Sequence, residues 1–136
     1  MLTNPLLFRK WRPHLKLHLA KSLGQNMFTG YGIDYVIINQ VRYTKSLIVL
    51  SDYIIQDWQA KIFEQLTPEH FELLIPLKPE MVLFGTGKTL RFPPPSLTQA
   101  LTTSRIGIEV MDTSAACRTY NILMSEGRNV AAAILI

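Results

Sequence analysis

The 136 residues suit one domain with a real apolar core, needing neither disulfides nor metals to hold it. An apolar fraction of 48% against 18% charged residues excludes a disordered chain, and no run reaches the roughly 18–20 apolar residues of a membrane helix. The lone Cys117 excludes an intrachain disulfide framework and suits a reducing compartment, while the net charge of +4 hides a basic first third: residues 1–45 hold seven Lys/Arg and one Asp.

Residues 1–13 read as a flexible basic arm ending at Pro13. Its charges follow the short apolar run instead of preceding it, so no secretory signal is read and a cytoplasmic chain is expected. His14 to Leu19 alternates strictly, with Leu15, Leu17 and Leu19 on one side, and predicts a half-buried strand. Gly24 to Gly32 reads as loop. Ile33 to Ile38 is a β-branched strand that Asn39-Gln40 turns into Val41–Tyr43. Ser46–Leu50 and Tyr53–Trp58 are further strands, so the first half is antiparallel with short turns.

The second half changes character. Thr67-Pro68-Glu69 starts a helix with a cap, a proline at the first helical position and an acid near the positive helix end; Pro76 stops it. Strand Met81–Phe84, a loop through Pro95, helix Ser96–Ser104, strand Ile106–Val110, helix Thr113–Glu126 and strand Asn129–Leu135 follow. Asp112 caps the last helix, Met111 and Ala116 form its staple, and Gly127 ends it. Two consecutive crossovers imply parallel strands. The fold class is therefore α/β: a single three-layer domain over residues 1–136. Its mixed sheet has an antiparallel N-terminal part and a parallel βαβαβ C-terminal part.

Several stretches imitate chemical motifs. Gly85-Thr86-Gly87-Lys88-Thr89 ends like a phosphate-binding loop, but Val82 stands where the first glycine belongs and Pro93-Pro94-Pro95 forbids an immediate helix. A dinucleotide fingerprint fails at Leu90. Cys117 in the second turn of a helix resembles a nucleophile, yet no histidine follows His70 to serve as its base, and its place near Met124 on the helix wheel makes a small buried thiol the expectation. His14 and His18 lie about 13 Å apart along a strand, too far to share a metal. Glu109 and Asp112 need not converge. No catalytic set, metal site or cofactor is expected. The stretch Arg9, Lys10, Arg12, Lys16 and Lys21 with Trp11 carries no reading motif for nucleic acid, which is not an expected partner.

In an open α/β sheet, ligands sit outside the carboxyl ends of the parallel strands. Gly85 to Gly87 and Asp112-Thr113 end two such strands on the same rim. A binding pocket there would draw on Gly85, Thr86, Gly87, Arg91, Asp112, Thr113, Cys117 and Arg118. The alternative is a tight turn packed against a helix cap.

Three stretches carry a resemblance: Pro79–Gly87 (PEMVLFGTG), Ile106–Arg118 (IGIEVMDTSAACR) and Thr119–Ala132 (TYNILMSEGRNVAA). From about Gly30 onward the chain resembles the uncharacterised Mth-domain family of small α/β proteins. That family includes the mitochondrial complex I assembly factor three and the adipogenesis-associated Mth-domain-containing protein. The resemblance implies a compact mixed α/β core over residues 30–136 and no proven reaction. Together with the missing catalytic set and the basic arm it points to a non-catalytic interaction or assembly role, with a protein partner and peripheral inner-membrane contact; a monomer or small homo-oligomer is expected. The second hypothesis is a small-molecule binder or enzyme using the rim pocket.

Overall fold

A computed structural model describes residues 24–136; the basic arm and the strand expected over His14–Leu19 lie outside the described residues. Only the end of the β-branched stretch expected over Ile33–Ile38 is strand, β2 (Val36–Ile38), because Gly32 N donates to Tyr35 O at 3.0 Å and turns the chain before it; β2 is flanked by β1 (Phe28–Tyr31) and β3 (Val41–Tyr43) in an antiparallel sheet. Asn39 and Gln40 turn β2 into β3 with φ of 49° and 72°. Two successive left-handed residues match the right-handed twist of a hairpin. β1 falls inside the stretch expected as loop. Its strand is held from outside: the Asn121 amide accepts from Phe28 N at 2.9 Å and donates to Phe28 O at 2.7 Å, as a neighbouring strand would.

The second sheet contains β4 (Leu47–Val49), β5 (Ile54–Ile55), β6 (Met81–Gly85), β7 (Gly107–Met111) and β8 (Val130–Ile134), in the order β5-β4-β8-β6-β7. β4 pairs antiparallel with β5 and β8, while β6 pairs parallel with both β7 and β8. This is the expected mixed sheet, with the first three strands set apart as a sheet of their own. The strand expected over Tyr53–Trp58 shrinks to β5, because Trp58 turns inward and its Nε1 donates to His70 O at 2.9 Å.

Helix α1 (Pro68–Glu72) is capped at Thr67, whose backbone N–H donates to His70 Nδ1 at 3.0 Å. Helix α2 (Pro95–Thr103) joins β6 to β7, and α3 (Thr113–Ser125) joins β7 to β8. β7 and β8 flank β6 on opposite sides, so the two crossovers run in opposite directions. Crossovers of one hand then place their helices on opposite faces. The side chains follow. Ile48, Val82, Phe84, Ala131 and Ala133 face Leu101 of α2. Leu47, Val49, Leu83, Ala132 and Ile134 face Ala116, Cys117, Tyr120 and Met124 of α3, together with Phe28, Val36 and Ile38 of the smaller sheet. The alanines of β8 keep both layers close to the middle of the sheet. α3 ends in a Schellman motif, with Arg128 N bonded to Leu123 O and Gly127 N to Met124 O, and Gly127 at φ 78°.

Phe84 centres the α2-side core. Its ring meets Phe71 edge-on at 5.1 Å and Trp58 at 6.3 Å, and stacks on Phe63 at 6.4 Å. Each contact adds to plain area burial. Phe84→Ala should lower unfolding free energy by about 3–5 kcal/mol in urea denaturation; a loss within experimental error would contradict this core.

Candidate functional site

Three strand ends meet at one rim, and Thr113 ties them. As the first residue of α3, Thr113 donates its backbone N–H to Gly87 O at 2.9 Å. Its hydroxyl donates to Leu135 O at 2.8 Å and accepts from Gly87 N at 2.9 Å. Thr86 N donates to Met111 O and Leu135 N to Gly85 O, both at 2.9 Å, extending the ladders past the strand ends. Gly85 makes this approach feasible. A Cβ there would stand 2.9 Å from Ile134 Cδ1 and 3.0 Å from Thr113 Oγ1. Gly87 turns the chain at φ 99°, a conformation that disfavours any side chain.

Beside this knot lies a cleft of about 720 Å³. One wall is the β1–β2 loop, Tyr31 to Tyr35. The other carries Gly87, Lys88, Thr113, Ser114, Leu135 and Ile136. The loop is fastened to α3, where Arg118 Nη1 donates to Tyr31 Oη at 3.0 Å, and to β3, where the Arg42 guanidinium lies 3.8 Å over the Tyr35 ring. Ile33 is 75% exposed at its tip.

The structure brings together only part of the expected set. Gly87 and Thr113 line the cleft; Gly85 and Thr86 are buried beneath it. The Thr86 hydroxyl donates to Thr89 O at 2.6 Å and accepts from Arg91 N at 3.2 Å, shaping the following loop. Asp112 caps α3, its Oδ1 accepting from Ala115 N at 2.8 Å and Ser114 Oγ at 2.9 Å. These bonds, the Ala115 amide foremost, hold its carboxyl below the ordinary value. Arg118 reaches the cleft only through Tyr31.

Arg91 and Cys117 lie elsewhere. The Arg91 guanidinium bonds Glu64 at 2.6 Å and sits 4.3 Å over Phe63, on the α2 side of the sheet. Cys117 is fully buried in the α3-side core, where burial pushes its thiol up to about 12. A protonated buried thiol is not a nucleophile. The β1–β2 loop, which supplies half of the cleft, was not singled out from sequence. Its alternation of Tyr31, Ile33 and Tyr35 around Gly32 and Asp34 is the signal that could have marked it. Among the described residues, no three His, Cys, Asp or Glu side chains lie close enough to hold a metal ion.

Comparison with known proteins places these features in a family. A family model described as "Protein of unknown function (DUF498/DUF598)" matches residues 28–135. The chain is 30% identical over 110 residues to the 13 kDa major membrane protein of Francisella tularensis, covering 79% of this chain and 89% of that one. It is 36% identical over 90 residues to the mouse NADH dehydrogenase [ubiquinone] 1 alpha subcomplex assembly factor 3, covering 65% of this chain but 48% of the relative. The chain thus spans about half the length of that assembly factor. Among solved structures it is similar to a Bordetella parapertussis protein, with a TM-score of 0.78 and 35% identity over 82% of this chain and 96% of that one. A Bordetella pertussis protein described as a Mth938-like domain gives 0.70 and 27%, over 99% and 90%.

Thr113→Val removes both bonds of the hydroxyl and strands the Gly87 amide and the Leu135 carbonyl; Thr113→Ser keeps them. Valine should cost about 1–3 kcal/mol in thermal or urea unfolding and serine markedly less; equal losses would contradict the tie. Asp112 supplies a pH test. Its folded value lies below the unfolded 3.8, so its stabilisation is present above that value and is lost as pH falls through the folded one. Acid unfolding below about pH 4 should therefore be shallower in Asp112→Asn than in the natural chain. Identical acid limbs would show that the carboxylate's charge contributes nothing to the cap.

Proposed function

Because the chain belongs to the family of proteins of unknown function DUF498/DUF598, we propose that it is a non-catalytic interaction or assembly factor that docks protein partners at the rim cleft. Respiratory complex I subunits or inner-membrane proteins are its clients in this reading. The observation that carries it is how the rim spends its polar groups. Thr113, Thr86 and Asp112 are bonded inward, and Arg91 is turned to Glu64. What the cleft offers outward is Tyr31, Ile33, Asp34, Tyr35 and Lys88, a surface of aromatic and aliphatic groups with one anion and one cation. Such composition suits protein recognition. The relatives named as complex I assembly factors and as a major membrane protein support the choice of clients. Among the described residues no helix is long and apolar enough to cross a membrane. This reading puts the chain at the inner-membrane surface through its partner.

A second reading rests on the size of the same cleft, which falls within the range of about 300–1,000 Å³ typical of small-molecule sites. A metabolite bound there would stabilise the native chain.

Native affinity capture with the full chain should recover a specific partner, and Ile33→Asp, at an exposed position with little cost to folding, should lose it. Repeated capture of no specific protein would overturn the interaction reading. A thermal-shift screen showing a metabolite that stabilises the natural chain but not Ile33→Asp would favour the second reading.

A further inference from the structure

β7 is an edge strand of the five-stranded sheet. Gly107 N donates to Glu80 O at 3.2 Å, and Met111 O accepts from Thr86 N. The backbone groups of Gly107, Glu109 and Met111 therefore turn toward β6. By the alternation of a strand, the N–H and C=O groups of Ile108 and Val110 turn outward. Among the described residues nothing bonds to them. The other edges are blunted. β5 has two residues and β3 three, and the Asn121 amide occupies Phe28 of β1. β7 has five, with no proline, no lysine and no bulge. An edge of this kind is a template for another strand.

Side chains define what fits. Ile108 and Val110 are half-buried against the α2-side core, leaving an apolar row that a further strand would continue. Glu109 projects to the other face and is exposed at the middle of the strand. Two copies pairing antiparallel about Glu109 would set the two carboxylates directly opposite, which is unfavourable. A lysine or arginine in that position is attracted instead. We propose that β7 is a docking edge for an extended segment of a partner protein. Its pattern is a basic residue flanked by β-branched ones, and it adds as a sixth strand. The proposal deepens the interaction reading and rests on it.

The probe is a blocked peptide, Thr-Val-Lys-Val-Thr, titrated to millimolar concentration against the full chain, with amide hydrogen exchange read by NMR. Ile108 and Val110 amides should exchange rapidly in the free chain and about tenfold more slowly with the peptide. The same peptide with Glu for Lys should have no effect, and Glu109→Lys should reverse the preference. The proposal is overturned if both amides are already protected in the free chain, whether by residues 1–23 or a second copy. It also falls if the two peptides act alike. Native capture separates the two levels. Partners recovered at full yield by Glu109→Lys would remove the docking edge and leave the interaction reading. Peptide binding by a chain that captures no partner would do the reverse.

Discussion

The Thr113 hydroxyl makes two bonds at once, giving its proton to Leu135 O and taking the Gly87 amide. That one oxygen lies where the ends of β6 and β8 and the start of α3 converge. Its reach depends on Gly85, since a side chain there would push against Thr113 and Ile134. The same residue opens α3, so the helix cannot shift without disturbing the rim. Asp112 fixes the helix start from the neighbouring position, and Tyr31 and Arg118 fasten the β1–β2 loop along the helix. The cleft walls are thereby referred to one backbone junction.

Much of this layout is legible in the residues themselves. The two crossovers follow from strand-length apolar runs alternating with capped helices. Asp112, Met111, Ala116 and Gly127 mark α3 from end to end. Gly85, Gly87 and Thr113 reach one rim because parallel strands end together. Other features depend on contacts that local sequence does not encode. β1 looks like loop, with glycines at 24, 30 and 32, and becomes a strand because Asn121, 93 residues away, supplies the bonds of a missing neighbour. Trp58 leaves its expected strand for an aromatic core assembled from α1 and β6. Arg91 follows the rim loop closely in sequence, yet its long side chain finds Glu64 and Phe63 across the sheet.

The division of the molecule into two cores bears on the proposed function. The α2-side core holds the aromatic cluster around Phe84 and leaves its last strand, β7, open at the margin. The α3-side core is sealed by the smaller sheet, whose hairpin loop overhangs the rim. Both surfaces proposed for a partner thus lie at the borders of well-packed layers. Such placement gives a rigid frame beneath groups that face outward, and rigid frames lose less entropy on binding.

Native-state hydrogen exchange at the Gly87 amide reads the junction most directly. Gly87 sits in a partly exposed loop, where an amide with no acceptor exchanges freely. With the Thr113 hydroxyl as its acceptor, the amide should be protected to the level of the Leu135 amide on the adjoining strand. Exchange at the rate of an unbonded loop amide, with Leu135 still slow, would contradict the account.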